Sequence, residues 1–340
     1  MAETTSGELS FEGPIVELQR KIEELESFAA STEIDLSGQI DQLKARCIEL
    51  QKEVVANLSA WERIQLARHP GRPLFSDYLA NLFEEPLELH GDMAFGDDHA
   101  IYTGLAKFQG RSVLLVGHRK GKNTKERIRC NFGSAHPEGY RKALAKMRLA
   151  EKYRIPILTF IDTPGAYPGV GAEERGQAQA IARNILEMSR LRTPIVCLVI
   201  GEGGSGGALG IGVGDRLLMM ENAYYSVISP EGCSSILWKS ADHAPRAAAI
   251  LKLTAKDLLR FRIIDEIVAE PPGGAQTSIG AACRLVEEAL ARQLEEVCRL
   301  PTERLLEQRY EKIRRIGVFL EDGAPNFVPP PEEEEEPAAR

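Results

Sequence analysis

The sequence lacks any apolar run near the ~20 residues that a membrane-spanning helix requires, which excludes a membrane-spanning protein. Its opening segment, 1–13, carries acidic residues and no apolar core, so it resembles neither a secretory signal nor an arginine-rich transit peptide. We therefore expect a cytoplasmic protein. An excess of positive charge is also missing, because 42 Lys and Arg residues stand against 50 Asp and Glu residues, for a net charge of −8. This balance does not favour nucleic acid as a partner.

Patterned cysteines are absent as well. The six cysteines are scattered, with no Cys-x-x-Cys pair or comparable spacing: Cys47, Cys130, Cys197, Cys233, Cys283 and Cys298. This argues against both a zinc site and a disulfide framework, and we expect no metal in this chain. A length of 340 residues is enough to bury a large core without disulfides. Cys197, inside the apolar run Ile195–Ile200, is expected to be a small buried side chain.

Two apolar stripes at helical spacing occupy the first 62 residues. The first follows Pro14, which suits the first position of a helix, and consists of Ile15, Leu18, Ile22 and Leu25. The second consists of Ile40, Leu43, Cys47, Leu50 and Val54. Together they predict an N-terminal helical hairpin over 1–62. Packing on the chain's own core and contact with another subunit are equally compatible with these stripes.

Residues 63–297 alternate between strand and helix patterns. Two β-rich runs, 100–108 and 112–116, flank a Gln-Gly pair and predict a β-hairpin. The continuous apolar runs 155–161 and 195–200 predict strands buried on both faces. Apolar residues at helical spacing between those two strands predict a crossover helix. This alternation predicts an α/β core.

Two segments follow the predicted core. Residues 298–317 continue as a mixed helical segment. Residues 318–340 contain three consecutive prolines and five consecutive glutamates, a composition that cannot bury a core and predicts a disordered acidic tail.

The most informative segment is the glycine-rich run Ile200–Leu209, which follows a predicted buried strand and precedes a predicted helix. A phosphate-binding loop is excluded, because no Lys-Ser or Lys-Thr pair follows at the Walker spacing. A dinucleotide fingerprint matches in part through Gly201, Gly203 and Gly206. That match is weak, because the helix expected over 207–215 is only about two turns long and rich in glycine.

The same run also fits the Gly-x-Ser-x-Gly pattern of a nucleophile elbow, with Ser205 as the nucleophile of a serine hydrolase. A catalytic triad then needs a histidine, and His243, in a polar stretch, is the only one after Ser205. The hydrolase stays open as the weaker hypothesis.

A third interpretation of the run uses only the main chain. Glycines in the first turn of a helix expose unpaired N–H groups, so Gly206 and Gly207 can hold a developing oxyanion. A tight turn with a purely structural role is the alternative. A second loop, Asp162–Gly176, leaves the preceding strand. Because ligands gather at the carboxyl ends of parallel strands, we expect both loops to line one pocket.

A basic run at 118–129 interrupts an otherwise acidic chain. Such clustering favours an anionic partner, for example a phosphorylated cofactor or the acidic face of another protein. A solvated helix face is the alternative, and nucleic acid is the least favoured partner.

Four motifs resemble the carboxyltransferase alpha subunit of bacterial acetyl-CoA carboxylase. They are GHRKGKNTKERIRCNFG at 117–133, FIDTPGAYPGVGAEERGQ at 160–177, VIGEGGSGGALGIGVGD at 199–215 and YSVISPEGCSSILWKSAD at 225–242. The likeness extends from about Phe11 to Ile316, and motifs of this length are far more specific than a glycine triplet. It implies an α/β, crotonase-like fold of the ClpP/crotonase superfamily, a superhelix of stacked ββα units that follows the N-terminal helical hairpin. Residues 63–297 would then be a CoA carboxyltransferase domain of the C-terminal type.

The resemblance also implies a reaction and its partners. The family moves a carboxyl group from carboxybiotin, held by the biotin carboxyl carrier protein, to acetyl-CoA, and so forms malonyl-CoA in the first committed step of fatty acid biosynthesis. Catalysis is expected at the face shared with a beta subunit that bears a zinc ribbon, in an α2β2 assembly. Biotin carboxylase is the expected further partner.

The resemblance assigns roles to particular residues. The paired glycines of the family's helix-start loop fall on Gly206 and Gly207, whose N–H groups would stabilise charge on the ureido oxygen of biotin. Weaker transfers assign the pocket wall and the contacts to anionic groups: Gly165, Ala166, Gly203, Gly204, Ser229, Glu231, Lys120, Lys122 and Arg127. No catalytic histidine is expected.

Overall fold

The computed structural model describes residues 9–32 and 35–317, together with the backbone at 320–321 and 324–325. Within these ranges the α-helices are α1 Gly13–Ser31, α2 Ser37–Ala56, α3 Ala60–Ala67, α4 Phe75–Leu82, α5 Thr124–Arg129, α6 Pro137–Lys152, α7 Val170–Glu174, α8 Gln177–Met188, α9 Ser205–Leu209, α10 Pro230–Trp238, α11 Ala244–Leu251, α12 Ala255–Arg260, α13 Ile279–Cys298 and α14 Thr302–Arg314. The strands are β1 Glu84–Glu88, β2 Ile101–Phe108, β3 Arg111–His118, β4 Ile157–Thr163, β5 Ile195–Gly204, β6 Arg216–Met220, β7 Tyr224–Ser226, β8 Glu266–Val268, β9 Leu320–Glu321 and β10 Ala324–Pro325. Short 3₁₀ turns lie at Ser10–Glu12, Asn131–Gly133, Ala241–His243 and Ala275–Thr277.

The N-terminal hairpin consists of α1 and α2, which confirms the two predicted helices. Their apolar stripes meet in a small core, separate from the main one, whose buried members are Ile15, Ile22, Ile40 and Cys47. At the base of the hairpin, Gln276 Nε2 donates to Glu12 Oε1 at 3.3 Å. The hairpin therefore has its own apolar core and a polar link to the rest of the chain.

Eight of the described strands form one sheet, in the order β1-β2-β3-β4-β5-β6-β8 with β7 paired to β5. The pairs β1–β2 and β2–β3 are antiparallel and the other pairs in this sheet are parallel. Every residue of β4 and β5, including Cys197, is buried, as their apolar runs predict. Helix α8 lies in the crossover between them, α6 packs on β2 and β3, and α13 packs on β5. The α/β prediction is confirmed.

The predicted hairpin is formed by β2 and β3, which pair over eight residues. Its two-residue turn is Gln109-Gly110, with φ of 48° and 77°. Positive φ at both positions is typical of the type I′ turn, whose twist matches that of the flanking strands.

The glycine-rich run departs from the prediction in two ways. Strand β5 continues to Gly204, so Gly201–Gly204 are strand residues and not a loop, because β7 pairs with this extension. Helix α9 ends at Leu209 and is little more than one turn long, shorter than the two turns expected. A Cβ at any of the three glycines that follow would lie within 2.8 Å of a neighbouring atom, so these glycines permit close packing: Gly210, Gly212 and Gly214.

Most of the predicted acidic tail, 318–340, lies outside the described residues. Within it, β9 and β10 pair with each other in antiparallel fashion. Among the described helices, none combines the length and apolar character that crossing a bilayer requires.

Candidate active site

The two predicted loops meet at the carboxyl ends of β4 and β5. A Cβ on Gly204 would lie 2.2 Å from Pro164 O, and one on Gly207 would lie 2.6 Å from Ala166 N. Such approaches are possible only because both residues are glycine. The two loops therefore meet in the structure, and their lining of one ligand pocket stays a prediction.

The start of α9 presents unpaired main-chain donors. Ser205 has φ 48° and is exposed, so the chain turns sharply from β5 into the helix at this residue. Gly206 is partly exposed and Gly207 is buried. In the described part of the chain, neither of their N–H groups, nor that of Ala166 opposite, donates a hydrogen bond. Three donors are therefore available around the contact between the loops.

The second loop is held in place by its own polar groups. Gly165 N donates to Thr163 Oγ1 at 3.1 Å, and the Thr163 hydroxyl donates to Gly165 O at 2.9 Å. The buried amide of Gln177 donates to Tyr167 O at 3.0 Å, and the Tyr167 ring stacks on His136 with centroids 4.2 Å apart. These contacts fix the loop that faces α9.

A network of charged side chains lies directly beneath both loops. Lys120 Nζ lies 2.6 Å from Asp162 Oδ1 and 2.7 Å from Glu202 Oε1. Arg68 donates to Glu202 at 2.7 Å and to Glu231 at 2.6 Å. The Tyr224 hydroxyl donates to Glu202 Oε2 at 2.6 Å. The network thus links residues at the ends of β4 and β5 to α10 and to the turn after α3.

Sequence reasoning missed Arg68 and Tyr224. Arg68 directly follows α3, and Tyr224 is the first residue of β7. Their contacts with Glu202 span 134 and 22 residues, and no local pattern in the sequence marks them.

A cleft of ≈ 480 Å³ opens beside this network. Its walls include three predicted site residues, Lys120, Lys122 and Arg127. It is also lined by Ala67, Arg68, His69, Pro70, Gly71, Arg72, Leu74, Asp77, Gly121, Phe132, Asp162, Pro164, Glu202 and Ile279. None of the predicted loop residues lines it: Gly165, Ala166, Gly203, Gly204, Gly206 and Gly207. The cleft adjoins the loops through Asp162, Pro164 and Glu202, which do line it.

Three of the predicted site residues have structural partners. Ser229 accepts a hydrogen bond from Gly232 N at 3.1 Å and so caps α10. Glu231, in the first turn of α10, pairs with Arg68. Lys122 pairs with Asp77 at 2.5 Å.

Two observations weigh against a serine hydrolase. Among the described residues, no histidine hydrogen-bonds to Ser205, and the exposed His243 ring packs edge-on against Trp238 with centroids 5.7 Å apart. His118, at the end of β3, is buried, and burial together with Lys120 lowers its pKa to about 3. Its Nδ1 accepts from Asp162 N at 3.4 Å, so this ring is neutral and supports the strand ends.

Acid is expected to weaken the fold through Glu202. Burial raises the pKa of the Glu202 carboxyl, but the positive charges of Lys120 and Arg68 lower it by more, so the pKa falls from 4.5 to about 2. Ionised Glu202 therefore stabilises the folded state, fully above pH 4.5, and this stabilisation is lost as the pH falls from 4.5 towards 2. Between pH 5 and pH 3 the free energy of unfolding should fall by about 2 kcal/mol more in wild type than in Glu202→Gln. Urea titrations at both pH values measure this difference, and equal losses would contradict it.

Comparison with solved structures identifies the class of fold. Transcarboxylase 12S matches with a TM-score of 0.53 and 19% identity over 66% of this chain and 42% of the transcarboxylase chain, so the match spans less than half of that protein. The beta subunit of Pseudomonas aeruginosa geranyl-CoA carboxylase matches with a TM-score of 0.52, 17% identity, and coverage of 75% of this chain and 46% of that chain. A Pseudomonas malonate decarboxylase hetero-tetramer gives a TM-score of 0.52 and 18% identity over 65% of this chain and 88% of its own. The fold is crotonase-like, as the motifs implied.

The family follows from sequence. Residues 8–317 match the family described as acetyl co-enzyme A carboxylase carboxyltransferase-like. Alpha subunits of acetyl-coenzyme A carboxylase carboxyl transferase from Geobacillus sp. and Thermus thermophilus are each 54% identical to this chain, over 92% of it and over 96% and 99% of their own lengths. The chain belongs to the family of acetyl-CoA carboxylase carboxyltransferase alpha subunits. It is therefore a subunit of a transferase enzyme.

In the described part of the chain, no group of three or more His, Cys, Asp or Glu side chains is arranged to hold a metal ion. The site consists of main-chain amides and a charged network.

Proposed function

We propose that this chain supplies the carboxybiotin side of the carboxyl-transfer site and that Gly206 and Gly207 are its catalytic residues. The unpaired N–H groups of these two glycines carry the proposal, because pre-positioned donors that face a developing negative charge lower a reaction barrier by about 3 kcal/mol each.

The chemistry needs little else from this chain. Bound carboxybiotin would supply the carboxyl group and, once that carboxyl group has left, the remaining biotin would be the base that removes a methyl proton from acetyl-CoA. The amides of Gly206 and Gly207 hold the ureido oxygen and stabilise the charge that develops there. Gly165 and Ala166 form the opposite wall, and the Ala166 N–H adds a third donor close to Gly207. The strand residues Gly203 and Gly204 bring the helix start against this wall.

The cleft suits an anionic partner. Lys122 and Arg127 are exposed on its wall, and Lys120 lies deeper. We propose that this face receives the phosphates of CoA or the acidic surface of the biotin carboxyl carrier protein. Ser229 and Glu231 stay predicted wall residues. The zinc-ribbon beta subunit, biotin carboxylase, the α2β2 assembly and the cytoplasmic location also stay predictions.

Reconstitution tests the function as a whole. The chain is mixed with a beta subunit and a carboxylated biotin carrier, and malonyl-CoA is measured. Product is expected only when all three proteins are present. Equal product without this chain would contradict the proposal.

Ser205→Ala separates carboxyl transfer from serine hydrolysis. Among the described residues no side chain hydrogen-bonds to the Ser205 hydroxyl, so kcat for carboxyl transfer should stay within about threefold of wild type, whereas loss of a nucleophile costs several orders of magnitude. The assay is malonyl-CoA formation in the three-protein mixture. A collapse of turnover with an intact fold would restore the hydrolase hypothesis.

A further inference from the structure

A break in the β4–β5 ladder lies immediately before the two glycine loops. Ile161 pairs with Val199, but the next pair is Thr163 with Gly203. Strand β5 therefore carries two extra residues at this point, which is a β-bulge. Bulges bend a strand and redirect the residues that follow, and here those residues are Gly203–Gly207.

Charged side chains replace the ladder hydrogen bonds that the bulge removes. The Glu202 N–H donates to Asp162 Oδ1 at 2.9 Å. The Ile200 carbonyl accepts from Arg72 Nε at 2.8 Å, and Arg72 is buried against Glu270. A Cβ on Gly201 would lie 2.6 Å from Asp162 Oδ1, so the bulge needs glycine at that position. The backbone of the bulge thus depends on side chains for its hydrogen bonds.

Lys120 joins the two carboxylates on either side of the bulge. The exposed fractions of the three side chains are 17% for Lys120, 5% for Asp162 and 10% for Glu202. Both carboxylate oxygens lie within 2.7 Å of the same nitrogen. Without that cation, Asp162 would lose its ammonium partner and face Glu202 across the bulge with little solvent to screen the two charges, and Glu202 would keep Arg68 as a cationic partner.

We propose that Lys120 is a positioning residue: through Asp162 and Glu202 it fixes the β4–β5 bulge and so places the Gly206 and Gly207 amides against the Thr163–Ala166 loop. This inference rests on the proposed function of those amides. Lys120 acts on the loops through its two carboxylate partners and does not contact the reacting atoms itself. Asp162 directly precedes one loop, and Glu202 directly precedes the other.

The test compares Lys120→Met, Lys120→Arg and a matched control, Lys312→Met. Lys312 is exposed to a similar extent, 20%, and its ammonium pairs with a carboxylate, Asp265, at 2.9 Å. Each variant is assayed in the three-protein mixture for kcat and for KM of acetyl-CoA. Hydrogen exchange of the 199–209 peptide is measured on the same proteins.

Lys120→Met should lower kcat by roughly 10- to 100-fold with KM within about threefold, since small misplacements of catalytic groups have effects of this size. Exchange of the 199–209 peptide should become faster. Lys120→Arg should restore kcat to within about fivefold of wild type, because it keeps the charge and two donors. Lys312→Met should leave kcat and exchange of this peptide within about twofold of wild type.

A raised KM with unchanged kcat would show that Lys120 contacts substrate directly, and would overturn the inference. So would a kcat of Lys120→Met within twofold of wild type, or a lower kcat without faster exchange. If Lys120→Met does not fold, Asp162→Asn takes its place. This substitution removes the negative charge that pairs with Lys120, while the asparagine side-chain oxygen can still accept the hydrogen bond from Glu202 N. If wild-type mixtures yield no malonyl-CoA, the proposed function fails, and the exchange data alone still decide whether Lys120 holds the bulge.

Discussion

Gly207→Ala is expected to lower the kcat of carboxyl transfer by roughly 100- to 1,000-fold, the loss typical of a disabled oxyanion donor. A Cβ at this position would lie 2.6 Å from both Ala166 N and Gly165 C. These are backbone atoms, which cannot rotate away as the end of a side chain can. The start of α9 or the facing loop must therefore shift, and the amide leaves its position.

Gly206→Ala is the matched comparison. A Cβ there would meet only the Ile181 side chain, at 3.6 Å, an ordinary contact, and the N–H is kept. We expect a loss below about tenfold. Thermal unfolding of both variants checks that the fold persists. Equal kcat values for the two alanine variants would contradict the argument from close backbone approach.

Arg309→Met is expected to reduce the free energy of unfolding by about 3–5 kcal/mol, the range for breaking a buried ion pair from one side. Arg309 is 1% exposed, and all five of its donor positions are used. Two donate to Asp215 at 2.8 and 2.7 Å, and the others donate to the carbonyls of Met188, Leu191 and Thr193. Methionine satisfies none of these acceptors and leaves the Asp215 charge buried.

The control for this substitution is Arg304→Met on the same helix. Arg304 is 54% exposed and pairs with Glu307 in solvent, so its loss should cost less than about 0.5 kcal/mol. Urea unfolding measures both variants. A loss below 1 kcal/mol for Arg309→Met would mean that α14 is not held by this residue.

The elements that the sequence predicts best are those with local patterns. The apolar runs at 155–161 and 195–200 are the buried strands β4 and β5, and the two N-terminal stripes are α1 and α2. The meeting of the glycine loops also follows from sequence, because parallel strands present their carboxyl ends at one edge. The motifs at 199–215 and 160–177 then led to the correct family.

The features that sequence patterns do not predict depend on contacts between residues far apart in the chain. The glycines of β5 look like a loop, yet they are strand residues because β7, some 20 positions later, pairs with them. Lys120 belongs to a run of cations that the sequence predicts to face an anionic partner or solvent, but carboxylates from β4 and β5 enclose it. Arg68 shows no motif, since its role depends on Glu202 and Glu231, more than 130 positions away.

The catalytic role of the two amides is tested most directly by replacing a single N–H group with oxygen. Glycolic acid in place of Gly206 or Gly207 converts the amide at that position to an ester. The exchange adds no side-chain atom and removes one N–H hydrogen-bond donor. The control is the same exchange at Gly38, in the first turn of α2 at the tip of the hairpin, about 28 Å along α1 from its base.

Malonyl-CoA formation is measured in the three-protein mixture. We expect a fall in kcat of roughly 100-fold or more for each ester at 206 and 207, and wild-type turnover for the ester at 38. Turnover within threefold of the Gly38 ester at both positions would contradict the claim that these amides carry the catalysis.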